Sequence, residues 1–197
     1  MKKIFFILIF FLTFQNFVLA DKIKDFQIEG INIGDSLFDH TNILGVSKNE
    51  ILKKELFYYP KSKKLAGLAF LNKGFFKTYE LIQFTIIPKT YIVESISGVV
   101  KITSKKNCEK KQEEIFNEIS KIFKNGEIIK ESFSKHAHDK TGNSIANGFY
   151  IQLVSGNVGV ECYLWGKEAR EETNWDDNLK VNVSSKKAIS FFNEEAY

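Results

Sequence analysis

The chain has 197 residues, with 28 Lys and Arg against 24 Asp and Glu and a formal charge of +4. Arg170 is the sole arginine, and guanidinium forks are the usual readers of phosphate and of guanine edges. No stripe of basic residues alternates with aromatics, so composition speaks against nucleic acid as a partner.

Residues 1–20, MKKIFFILIFFLTFQNFVLA, read as a cleavable export signal. Lys2 and Lys3 form a basic head, Ile4–Leu12 an apolar run, and Val18-Leu19-Ala20 a cleavage site. Thr13, Gln15 and Asn16 break the run well short of the ~20 residues that cross a bilayer, which argues against a retained anchor. No cysteine lies near residue 20 to carry a lipid. The expected mature chain, residues 21–197, loses Lys2 and Lys3 and no acids, so its formal charge falls to +2. No later segment is apolar enough to cross a membrane. The expected place is the periplasm or the medium.

Residues 30–60 read as loop and helix. Gly34-Asp35-Ser36 is a turn, and Ser47-Lys-Asn-Glu50 matches a capping box in which serine and glutamate side chains each serve a free helical N–H. Ile51, Leu52 and Leu56 follow at helical spacing, and Pro60 ends the element. From Leu65 the period becomes two: Leu65–Leu71, Thr78–Ile87 and Tyr91–Ile102 are rich in aromatic and β-branched residues. They are broken by Asn72-Lys-Gly74 and Pro88-Lys89, as in a three-stranded meander.

The clearest helix is predicted over 107–124, capped by Asn107 and followed by Gly126, where a left-handed residue is common. Cys108, Ile115, Phe116, Ile119, Ile122 and Phe123 fall on one face, which must pack on a sheet. A polar loop follows over 134–143. Strands return at Ile145–Val154, Val158–Trp165 and Leu179–Val183, the first two joined by a tight turn at Ser155-Gly-Asn157. A short helix, Lys186–Asn193, closes the chain. The expected fold is α+β: two helix-plus-three-stranded antiparallel meander units, residues 30–104 and 105–197, packed as one disulfide-stapled domain. In topology this resembles the β-lactamase inhibitor proteins and the small outer-membrane assembly lipoproteins, which does not fix a function.

In an exported chain, two cysteines and no others read as one disulfide. Cys108 lies on the apolar helix face and Cys162 mid-strand, so the helix can bring one to the other. A redox pair would take the C-x-x-C form; these two are far apart and act as a staple.

Candidate chemistry is sparse. His136-Ala-His138-Asp139 places two imidazoles on one side of an extended segment beside a carboxylate, a possible metal site. A solvated loop is the plainer reading, because only His40 remains as a third imidazole. Ser132-Phe-Ser-Lys135 and Lys140-Thr-Gly142 match motifs of penicillin-interacting serine enzymes in form but sit too close together. Trp175, Asp176 and Asp177 offer an aromatic with two carboxylates for binding, against the reading of an Asx-rich turn. Glu94, Glu161, Asp35 and Asp39 are further carboxylates that nothing singles out. Nucleotide-binding, zinc-protease and serine-hydrolase motifs are missing, and no cofactor is expected.

Four stretches together carry a resemblance: Phe26-Gln-Ile-Glu-Gly-Ile-Asn-Ile-Gly-Asp-Ser-Leu37, Asn107-Cys-Glu-Lys-Lys-Gln-Glu-Glu-Ile115, Glu161-Cys-Tyr-Leu-Trp165 and Trp175-Asp-Asp-Asn-Leu179. They resemble the recurring signatures of a family of small exported proteins of AT-rich marine alphaproteobacteria. That resemblance implies an exported, disulfide-bonded single domain and no catalytic residue. The functional expectation is a binding or protein-interaction module, with an envelope protein as its partner. The alternative is a small-molecule or metal-binding protein.

Overall fold

The structure, a computed structural model, describes residues 23–137 and 139–197. The expected export signal and the candidate ligand His138 lie outside the described residues. In chain order these hold α1 (Thr41–Leu44), α2 (Lys48–Lys53), β1 (Phe57–Tyr58), β2 (Ala66–Leu71), β3 (Leu81–Ile87) and β4 (Ile92–Lys101). Then come α3 (Lys105–Ile122), β5 (Glu127–Lys130), β6 (Ser134–Lys135), β7 (Ile145–Leu153), β8 (Gly156–Leu164), α4 (Lys167–Thr173), β9 (Asn178–Ser185) and α5 (Lys186–Glu194).

The strands form one antiparallel sheet in the order β1-β2-β3-β4-β9-β8-β7-β5, with β6 also on β7. Each of the runs β2-β3-β4 and β7-β8-β9 zigzags between sequence neighbours, and β4 pairs with β9 to make them continuous. The fold is therefore α+β, with a Cys108–Cys162 disulfide. Helical cover is unequal: α1 and α2 have four and six residues, whereas α3 has 18.

Alternation along each strand divides the sheet into two faces. One carries Phe84 and Ile86 of β3, Ile96 of β4, Leu179, Val181 and Val183 of β9, and Val158, Val160 and Cys162 of β8, all buried. Each such side chain contributes roughly 1.5–3 kcal/mol of apolar burial. Helix α3 lies along β7–β9 on this face, presenting Cys108, Gln112, Phe116 and Ile119 as its buried stripe. Ile23, Ile28, Ile31, Leu37, Leu44 and Ile51 of the segment before β1 join the same core.

Several boundaries differ from sequence expectation, each for a local reason. Ser104, not Asn107, caps α3, its hydroxyl accepting from the Asn107 amide at 3.2 Å. Gly126 is not left-handed; it sits where the backbone passes so close to β7 that a Cβ would strike the Ile151 side chain. The β7–β8 turn is Val154-Ser155, because Gly156 already pairs with Leu153. The capping box of α2 forms as expected, but the helix stops at Lys53 and Phe57-Tyr58 adds to the sheet edge.

The opposite face is covered at one end only. There α5 packs on β9, β8 and β4, and Ala188 and Phe191 form a small cluster with Leu65 and Ala196. A bulge positions the helix: Thr85 faces Ser95 but Ile86 faces Val93, so Glu94 is the extra residue. Its carboxylate accepts from Ser185 Oγ at 2.7 Å and Lys187 Nζ at 3.0 Å, where α5 begins. The rest of this face stays open.

Candidate binding groove

The open face is paved with polar side chains. Register across β3, β4 and β9 places Gln83 beside Ser97 beside Asn182 in one row, and Thr85, Ser95 and Ser184 in the next. Val99, Lys180 and Glu161 form the third row, on β4, β9 and β8. All of these but Val99 floor a groove of about 920 Å³. Phe57, Tyr59, Phe192 and Tyr197 wall one part of it, and Tyr150 and Trp175 another.

Two glycines let the Tyr150 ring lie down on the sheet. A Cβ at Gly148 would strike its hydroxyl end, and one at Gly159 would come within 2.7 Å of Cδ1. The phenol then donates to Glu161 Oε1 at 3.0 Å, while Tyr163 OH donates to Glu161 Oε2 at 2.7 Å. Both Glu161 oxygens are thus engaged. Burial, reinforced by the Glu161 charge, pushes both phenols well above the ordinary tyrosine range. At neutral pH they are donors, not bases.

Lys180 faces Glu161 from the next strand. Its ammonium stands 4.8 Å from the centroid of the Tyr163 ring but has no ion-pair partner within 4.0 Å. Enclosure pushes the Lys180 amine below the ordinary lysine range, with the Glu161 charge opposing that shift. Asn182 is only 8% exposed, and its side-chain amide makes no hydrogen bond within the protein. Gln83 and Ser97 beside it have no such bonds either, and the Asn157 Oδ1 acceptor is buried without a partner. By contrast, Ser95 and Ser184 bond to each other at 2.8 Å, and Thr85 to Tyr59 at 3.2 Å. The centre of the floor is where unspent hydrogen-bonding capacity collects.

The residues singled out from sequence fall unevenly around this groove. Trp175 lines it, 51% exposed and 4.7 Å from the Trp165 ring. Its neighbours serve the fold: Asp176 pairs with Lys101 at 2.8 Å. Asp177 Oδ1 accepts from the Trp165 amide at 2.8 Å and pairs with Arg170 at 2.7 Å. His136 packs against Trp165 and Tyr163, with ring centroids at 4.7 and 5.7 Å.

The Asp139 carboxylate is occupied by its own loop. It accepts from the Thr141 amide and hydroxyl at 2.9 and 2.7 Å and from the Ser144 amide at 2.7 Å. Those bonds hold it far below the usual carboxylate range. Among the described residues no three His, Cys, Asp or Glu side chains gather as a metal would require. Of the four further carboxylates named from sequence, Glu161 lines the groove, Asp35 pairs with His40 at 2.8 Å and Glu94 holds α5. Cys108 and Cys162 lie on the far side of the sheet, with Cα atoms 6.0 Å apart.

Gln83, Ser97, Tyr150, Lys180 and Asn182 carried no motif. Their signal is the alternation itself, read across strands once the register is known. Comparison of the chain with protein families, with characterised proteins and with solved structures returns no match. No helix among the described residues is long and apolar enough to cross a membrane.

Proposed function

We propose that this is an exported, non-catalytic binding protein whose recognition surface is the open face of the sheet. One observation carries the reading: Gln83, Ser97, Asn182 and Lys180 converge at the groove centre with no hydrogen bond spent inside the protein. Asn182 is buried and the other three half-buried, and polar groups that line a groove without a partner inside the protein are free to bond water or a ligand. Two occupants remain from the sequence, a protein segment and a small molecule. The floor is a sheet face whose main-chain groups are paired between strands, which leaves an extended peptide no ladder to join. Its volume falls within the ~300–1,000 Å³ of small-ligand sites. A small polar molecule is therefore the favoured occupant. The disulfide suits an oxidising compartment, in keeping with export to the periplasm.

Native mass spectrometry of the chain secreted through an oxidising compartment tests this reading. A retained mass on the wild type that is missing from Asn182→Leu supports it. A mass that persists unchanged in Asn182→Leu places the ligand elsewhere and defeats it.

A further inference from the structure

We infer that the occupant of this groove is a neutral saccharide of two or three sugar units, an inference that rests on the groove being the recognition surface. Three features point to this class, and each excludes something else.

The first is the kind of polar group. Asn182, Gln83, Ser97 and Asn157 are hydroxyls and amides, and each both donates and accepts. A ring bearing many hydroxyls, which also do both, can satisfy such a floor in any local orientation. A phosphate or carboxylate, which only accepts, would leave the amide oxygens unpaired. Asn157 lines the groove beside them.

The second is charge. Lys54, Glu55, Glu161 and Lys180 line the groove, two of each sign. Glu161 already accepts from two tyrosine hydroxyls and faces Lys180 on the next strand, so its charge is offset within the groove. Lys180 keeps free N–H donors, and the adjacent Glu161 charge makes a neutral acceptor a better partner for them than a second anion. The groove is polar without being a charge trap.

The third is the walls. Trp175, Phe57 and Tyr197 are 51%, 61% and 50% exposed around a polar floor. Aromatic faces flanking hydrogen-bonding groups suit a ligand whose edge is polar and whose faces are C–H, as in a pyranose ring. The row Gln83–Ser97–Asn182 crosses three strands, about 10 Å at the usual strand spacing, the reach of a disaccharide or trisaccharide rather than a single sugar.

The test uses the chain's only two tryptophans, Trp165 and Trp175, whose rings are in contact beside the groove. Full-length secreted protein is titrated, by fluorescence and calorimetry, with four probes. Maltotriose and the N-acetylglucosamine trisaccharide are neutral, a trigalacturonate is acidic, and a capped Ala-Ser-Ala-Ser peptide stands for polypeptide. The expected result is saturable binding of one neutral trisaccharide, weakened tenfold or more by Asn182→Leu and also by Ser97→Ala. The second variant is conservative enough to retain the fold, and circular dichroism checks both. Replacement of the fully exposed Val154 by Ser leaves affinity unchanged.

Binding of the peptide alone, lost in Asn182→Leu, would keep the groove as the recognition surface and overturn the saccharide. Trigalacturonate binding ten times tighter than either neutral probe would overturn neutrality. A trisaccharide that bound the wild type and both floor variants equally would overturn the groove and the inference together. Absence of binding by either neutral trisaccharide overturns the saccharide reading.

Discussion

Removing the disulfide by the double replacement Cys108→Ala/Cys162→Ala should cost about 4 kcal/mol. The two cysteines are 54 positions apart in sequence, and closing a loop of about 55 residues removes that much denatured-state entropy at 25 °C in the chain-entropy model. Little is lost on the native side, because a second strut survives one helical turn along. Gln112 is fully buried, and its Nε2 donates to Val160 O at 2.7 Å and to Asn147 Oδ1 at 3.2 Å. Helix α3 therefore keeps its position on β8 when the covalent link is gone. Urea unfolding followed by circular dichroism is the assay. With a slope of about 2 kcal/mol per molar, the midpoint should fall by about 2 M. The slope itself should rise, because the unlinked chain exposes more surface when it unfolds. A midpoint drop below about 0.5 M with an unchanged slope would refute the reasoning, since it would mean the bond does not restrain the unfolded chain.

Gln112→Leu should cost about 1–3 kcal/mol, because it strands the buried Asn147 amide. Adding Asn147→Leu should restore most of the loss in the same urea assay; no recovery in the double variant would argue against a paired polar bridge. Glu29 accepts from the amides of Lys77, Thr78 and Tyr79 at 3.0, 2.6 and 3.3 Å. Glu29→Ala should therefore cost about 1 kcal/mol and speed hydrogen exchange at those three amides, and unchanged exchange there would count against the contact. Burial pushes Tyr79 up to about 12, and Tyr150 and Tyr163 are also raised, against about 10 in an unfolded chain. A raised phenol gives stability that is fully present below pH ~10 and lost as pH climbs toward the folded value. Above pH ~10 the unfolded state has shed protons the folded state keeps, so three such groups should steepen the loss to about 4 kcal/mol per pH unit. Lys180, shifted down, acts in the opposite sense only below its unfolded value near 10.4, so the tyrosine slope above that is unopposed. Absorbance titration of the seven tyrosines should show at least three that ionise only on unfolding. All seven titrating near pH 10 would contradict the burial.

The parts of the fold that were legible in the sequence are those where one strong local signal decides. Helix α3 was visible because Cys108, Phe116 and Ile119 recur at helical spacing, and the longer strands because apolar residues alternate in them over seven or more positions. What escaped was short or lacked periodicity. Strand β5 is four residues, all exposed, held by pairing with β7 rather than by its own burial. Helix α4, KEAREET, buries only Ala169, so it has no apolar stripe to detect. The cap at Ser104 was missed for a subtler reason. Asn107 is also a good capping residue, and the choice between them depends on where the chain leaves β4, which is a tertiary fact.

The groove was less legible still, because alternation reveals that a strand has a polar side without saying what that side faces. Lys180, Asn182 and Ser184 alternate with Leu179, Val181 and Val183 in the pattern expected of any half-solvated strand. Such residues come together only when β4 pairs with β9 and places Ser97 beside Asn182, a contact across 85 positions that no window of sequence contains. Trp175, an aromatic in a polar turn, lines the groove, whereas Asp177 accepts from the Trp165 amide and Asp176 pairs with Lys101. Charged residues in turns report on the turn first. Uncharged amides and hydroxyls in mid-strand give no local signal, yet here they hold the hydrogen-bonding capacity that the fold leaves unspent. A reading that ranks residues by how reactive they are will therefore pass over a floor of this kind. Following the rows across the sheet finds it, because Gln83, Ser97 and Asn182 then fall side by side with no side-chain partner inside the protein.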